Sequence, residues 1–359
     1  MTLPKISIII LLCCAYAVAD YSFHYGFTSI FDDPFFEFTL GNESRPIKVL
    51  LDTNRQFSWV FNGSCNYRNA YCTNNTHAYT YHAEKTGGRE TDFLFRDRFR
   101  RYRDFAGTLF EDTIKFGDIE LPVKLGVITR GDTRFTFRYD GVFGLGIGDS
   151  ETSVVKDIMK KLSVKQITIQ EGHYYMSRPG RGYDFWSDGT ITFGEYKGNL
   201  CEEFTYVDAL SEGGWRFKTD IKVGKETLKD QIVGLLPGRY TEVPDKIRDK
   251  YYSEHSAKDE KNFHDIGFSI GNQTYKTTAK QFSWYYDPDK TYSARIDSSY
   301  PEYEYDFAFG SDFLQKYCVA LRVDDKFEKY QIGFAQNNDS VQVVSSILLM
   351  IFGALFTRF

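Results

Sequence analysis

The chain has 359 residues, 42% of them hydrophobic, and a net charge of -5. That length suits one large domain or two medium lobes with a substantial core, and the mild charge excludes a general electrostatic case for nucleic-acid binding. The 26 Tyr and 32 Phe favour strands over a helix bundle.

In chain order, the first predicted element is a secretory leader. Lys5 precedes the apolar run "ISIIILLCCAYAVA", and Ala17-Val18-Ala19 is a small-x-small cleavage site. Residues 1–19 therefore read as a signal peptide, and the run is too short for a membrane anchor. A secreted location makes the remaining cysteines interpretable. Cys65 and Cys72 bracket "NYRNAY", a small loop that a disulfide could close, and Cys201 and Cys318 would then close a long one. A zinc site is the rival reading, but no His stands at ligand spacing beside any Cys, so neither metal nor cofactor is expected. N-x-[ST] triplets at Asn42, Asn62, Asn74, Asn272 and Asn338 become candidate glycan sites on surface loops.

Val49 to Phe61 reads "VLLDTNRQFSWVF". An acid at the end of a buried apolar run needs a partner or hydrogen bonds, which makes Asp52 the first candidate site residue. Period-two alternation dominates the chain beyond it. "GTLFEDTIKFGDIELPVKLGVI" predicts a strand, a Gly-Asp turn and a second strand. The pattern returns around Gly224-Lys225 and around Gly271-Asn272. Helical periodicity is confined to "DSETSVVKDIMKKL", "GSDFLQKYC" and the start of Pro244–Asp265, whose remainder reads as a solvated loop. The fold class is all-β, or mainly β, with a few short helices.

The chain closes on "VQVVSSILLMIFGALF" within residues 341–359. This run is short for a membrane span of about 20 residues. It is similar to the tail of a GPI-type lipid-anchor signal, following the small residues of Asn338–Ser340. A cleaved signal, a membrane-inserted tail and a tail buried in the fold are all open at this point.

Several landmarks occur in order. Leu50-Leu51-Asp52-Thr53 ends a strand, and Trp59 follows seven residues after Asp52. Cys65 and Cys72 come next, then "YDGVFGLG" with Val142-Phe143-Gly144, "GTITFGEYKGNL", and finally "FAFGSDFLQKYCVALRVDDKFEKYQIGFA" with Ala308-Phe309-Gly310. Together they resemble the pepsin-like aspartic peptidases, the A1 family, over nearly all of the mature chain. The resemblance implies a bilobal acid-protease fold, with an N-terminal β lobe at 20–195 and a C-terminal β lobe at 196–340. It implies a cleft between the lobes under a β-hairpin flap. The position of Cys318 is similar to that of a cysteine in nematode members, which supports pairing with Cys201.

The departures fall at the catalytic positions. The family's two Asp-Thr-Gly turns supply two acids that share one proton. Here the first turn is Asp52-Thr53-Asn54, and Arg55 stands where the family has a small hydroxyl. Around the second turn, Ile232-Val233 aligns with the apolar pair, which puts Gly234 at the position of the second Asp. Asp230, upstream on the predicted strand, should not reach the same point. In the flap, Tyr102 lies near the expected tyrosine. The tip lacks glycine and is rich in arginine, with Arg100 and Arg101 among five in Phe95–Gly107. That segment is either a solvated flap or an anion-binding hairpin. The distance from Asp20 to Asp52 leaves no room for a pro-segment.

The expectation is a secreted or surface-anchored, monomeric pepsin-fold protein without peptidase activity. It would bind a peptide or protein ligand through a cleft that includes Asp52, Thr53, Asn54, Arg55 and Trp59. The alternative is an active aspartic-type endopeptidase with an unorthodox site. A lipid or small-molecule carrier is a third reading, resting on the cleft and its aromatics.

Overall fold

Strands account for most of the computed structural model. It describes residues 21–26, 35–62, 81–99, 103–117, 119–131, 139–147, 153–172, 175–176, 185–186, 188–210, 214–252, 259–286, 290–299 and 304–338. The predicted leader and tail, Cys65, Cys72, Asn74, Arg100, Arg101 and Tyr102 lie outside the described residues.

Two large sheets carry the architecture. One has thirteen strands and runs from Thr205–Asp208 at one edge to Arg89–Phe99 at the other. The second has seven strands and contains Phe217–Val223, Glu226–Leu235, Thr241–Val243 and Phe307–Phe309. The closing strands Tyr317–Val323 and Tyr330–Gln336 do not join the seven-stranded sheet. They return to pair beside Gln166–Glu171 in the larger one. That return ties the C-terminal half to the N-terminal half through backbone hydrogen bonds.

The predicted hairpins appear with their turns. Phe116 pairs with Ile119, Val223 with Glu226 and Ile270 with Gln273. Gly224 and Gly271 take φ of 59° and 56°, which a side chain rarely adopts. The helices are short, the longest predicted one being Val154–Lys161 after Ser153. Among the described residues no helix is long and apolar enough to cross a membrane.

The aromatic excess goes into the core. Phe36 packs on Phe116 and on Phe143, each with ring centroids 5.6 Å apart. In the second sheet Phe309 lies 4.4 Å from Phe313, and Phe217 lies 5.1 Å from Phe268. Such pairs contribute about 0.5–1.5 kcal/mol each beyond their buried area. Cys201 and Cys318 form a disulfide with S–S 2.06 Å, as the sequence led us to expect.

One buried acid makes stability pH-dependent. Asp312 accepts from the Thr241 N–H at 3.1 Å, the Thr241 hydroxyl at 2.7 Å and the Thr277 hydroxyl at 2.9 Å. Burial raises its pKa against these hydrogen bonds, which lower it. A raised native pKa adds stability below the unfolded value of about 3.9 and loses it as pH rises through the native value. Asp312→Asn should therefore gain on the native chain as pH is raised, which urea midpoints at acidic and neutral pH would measure. A gap independent of pH would contradict this assignment.

Candidate functional site

Asp52 closes the strand Ile47–Asp52, whose apolar residues leave the carboxylate at the mouth of the core. Its Oδ1 accepts from the Asn54 N–H at 2.9 Å, the local turn that Asp favours. Its Oδ2 lies 3.3 Å from Arg55 Nε. Asp52, Thr53, Asn54 and Arg55 are all buried. Trp59 is fully buried on the far side of the strand Gly141–Gly144, packed at 4.7 Å on Phe105 of the strand Arg103–Phe116. Asp52, Thr53, Asn54 and Arg55 thus form one buried turn, while Trp59 packs in an apolar cluster with Leu50, Phe61 and Phe105. The structure does not bring Asp230 to that turn, since that residue is exposed beside Lys218 at 3.3 Å.

A repeated local motif locates the opposing residue. Leu50, Leu51 and Asp52 pair in parallel with Val142, Phe143 and Gly144. In the second sheet Gly234 and Leu235 pair in parallel with Ala308 and Phe309. Leu236 continues that ladder by donating its N–H to Phe309 O at 2.9 Å. Superposing Phe143-Gly144 on Phe309-Gly310 therefore sets Leu51 on Leu235 and Asp52 on Leu236.

Two further contacts agree with this register. A Cβ on Gly144 would lie 2.6 Å from Arg55 O, and one on Gly310 would lie 2.2 Å from Arg239 O. Arg55 and Arg239 each stand three residues beyond Asp52 and Leu236. A cavity of about 10 Å³ between the halves is lined by Leu50, Leu51, Asp52 and Thr53 on one side and Leu236, Pro237 and Arg239 on the other. It has room for at most a single water.

The alignment of Gly234 with the second acid is thus corrected by two residues, to Leu236. A slip of two leaves every side chain on the same face of a strand, so the apolar pattern of "IVGLL" cannot reveal it. The signal that could have found it is Gly238. It keeps the third-position glycine of the turn two residues after Leu236. Gly234 has a different reason to be small, because a Cβ there would lie 3.0 Å from the Tyr305 ring and 3.2 Å from Asn54 Oδ1.

Contacts across the halves fix the site. The Thr53 hydroxyl and Asn54 Nδ2 both donate to Leu235 O, at 2.7 and 2.9 Å. Trp215 donates its N–H to Thr53 O at 3.4 Å and its indole Nε1 to Leu145 O at 2.6 Å. Gly238 donates its N–H to Glu171 Oε1 at 2.7 Å.

Sequence reasoning missed a buried ionic cluster behind Leu236. Glu242, 1% exposed, accepts from Arg239 Nη2 at 2.9 Å and from the Tyr305 hydroxyl at 2.7 Å. Its register opposite Ala308 matches that of Trp59 opposite Val142. A glutamate thus occupies the place of a tryptophan, and partners such as Arg239 and Tyr305 make that burial tolerable.

The remaining expected positions are dispersed. Asn42 and Asn272 are exposed at turns, while Asn62 and Asn338 are half-buried, with N–H groups bonded to Ile128 O and Leu200 O. Among the described residues no cluster of His, Cys, Asp and Glu could hold a metal ion.

Comparison with known proteins finds aspartic proteases. The chain is 25% identical to "Aspartic protease 17" of Caenorhabditis elegans over 193 residues, 51% of this chain and 48% of that protein. It is 27% identical to "Probable aspartic-type endopeptidase CTSD" of Trichophyton verrucosum over 198 residues, 52% of this chain and 36% of that protein. The same figures hold for the protein of that name in Arthroderma benhamiae. The matches thus span about half or less of these curated relatives' length. The family model described as eukaryotic aspartyl protease matches residues 35–337, and the chain belongs to that family.

Proposed function

We propose that this family member binds a peptide or protein segment in the cleft between its halves without cleaving it, from a secreted or surface-attached position. The observation that carries the proposal is Leu236 opposite Asp52. Peptide hydrolysis by this fold needs two carboxylates sharing a proton, one to activate water and one to polarise the scissile carbonyl. A lone Asp52 facing Leu236 and Pro237 retains a base and lacks the acid. Groups that act as a unit lose nearly all their effect when one is removed. The intact Asp52-Thr53 pair and the names of the relatives favour the second reading, an endopeptidase with an unorthodox site.

Incubating the immobilised chain with a random peptide pool, and weighing what it retains by mass spectrometry, tests the proposal. Selective retention of intact peptides is expected. Recovery of cleaved fragments, or retention no greater than on heat-denatured chain, would count against it.

A further inference from the structure

The two halves approach each other through a contact that is no longer symmetric. Thr53 follows Asp52, and its hydroxyl donates to Leu235 O, the carbonyl just before Leu236. The symmetry-related bond would run from residue 237 to the carbonyl of Leu51. Pro237 carries no hydroxyl and no N–H, so it cannot donate there. Gly238, the counterpart of Asn54, has no side chain, and its N–H is committed to Glu171.

The missing donor is supplied from the other side. Asn54 stands where the turn would carry glycine, and its Nδ2 reaches across to the same Leu235 carbonyl at 2.9 Å. Its Oδ1 is buried and has no hydrogen-bond partner among the described residues. The amide is therefore positioned by its nitrogen, and leaving a buried acceptor unmade is itself a cost. Two glycines of the second half make room for the turn. A Cβ on Gly234 would lie 3.2 Å from Asn54 Oδ1, and one on Gly214, at φ 122°, would lie 3.0 Å from Asn54 Cα.

We propose that Asn54 is an inter-half latch that replaces the hydrogen bond lost at Pro237. Both donors now come from one turn and converge on one carbonyl. The latch holds the Asp52 turn against Leu235 and Trp215 and so sets the separation of the cleft walls. Asn54 and Pro237 are then coupled substitutions. This coupling is independent of whether the cleft cleaves or only binds its ligand.

A double-mutant cycle tests the coupling. Urea unfolding, followed by tryptophan fluorescence, would compare Asn54→Gly in the native background and in the Pro237→Thr background. The proline's effect on the unfolded chain is common to both members of the second pair and cancels. Asn54→Gly should lower the midpoint in the native background. It should lower it by less than half as much in the Pro237→Thr background, where the introduced hydroxyl restores the lost donor. An equal loss in both backgrounds, including failure to fold in both, would overturn the proposal. So would no loss in either. Hydrogen exchange gives a second readout. Asn54→Gly should speed exchange at the Trp215 amide and indole more than at Ile47–Leu51, and unchanged protection at Trp215 would also overturn the latch.

Discussion

Leu236→Asp combined with Pro237→Thr is expected to produce acid-dependent cleavage of denatured globin at least about a hundredfold above the native chain. A positioned acid–base group contributes about 10²–10⁴-fold, and this substitution restores the missing one. The register predicts the place, since residue 236 pairs beside Phe309 and Gly310 as Asp52 pairs beside Phe143 and Gly144. Adding Asp52→Asn should return the rate to baseline, because either acid alone is insufficient. Gly234→Asp is expected to give no activity. Its Cβ would crowd the Tyr305 ring, and its carboxylate would be added beside the unpartnered Asn54 Oδ1. Activity from Gly234→Asp and none from Leu236→Asp would reverse the assignment.

Replacing both Cys201 and Cys318 by serine is expected to cost about 2–5 kcal/mol of stability. The bond closes a separation of 117 residues, and it pins the segment after Phe193 to the returning strand Tyr317–Val323. In the chain-entropy view a long loop gains most from closure. Cys318 is also fully buried, so serine leaves a hydroxyl in an apolar site. Urea unfolding under non-reducing conditions measures the loss. A change within experimental scatter would show that the central-sheet pairing alone holds the chain's return.

Much of this architecture is legible in the sequence because it is written in short-range terms. Period-two alternation and Gly turns place the hairpins around Gly117, Gly224 and Gly271. The apolar run into Asp52 ends a buried strand, and the Cys201–Cys318 bond forms as the family resemblance implied. What is not legible depends on pairing between distant segments. The parallel register of Leu235 on Phe309 decides which residue faces Asp52, and the apolar pattern of the strand does not encode it; only Gly238, two residues on, marks it in the sequence. The buried Glu242 is hidden for a related reason. A charged residue reads as exposed until Arg239 and Tyr305 are brought to it by the fold. Asp312 is similar, its burial made tolerable by Thr241 and Thr277 from two other segments.

Asn54 illustrates the difference between composition and placement. In sequence it is a departure from glycine at a catalytic turn. In the structure its side chain leaves the Asp52 side and joins Leu235, so it acts on the seam between the halves. Arg55 stays with the acid, with Nε 3.3 Å from Oδ2. Asp52 thus has one oxygen bonded to its own turn and the other facing a guanidinium, with Leu236 where a second carboxylate would stand.

The measurement that bears most directly on this account is digestion of denatured globin by the native chain from pH 2 to pH 7, with and without pepstatin. The account predicts that the globin stays intact at every pH, with or without the inhibitor. Cleavage that pepstatin abolishes would contradict it, because it would require a second acid at the site that Leu236 occupies.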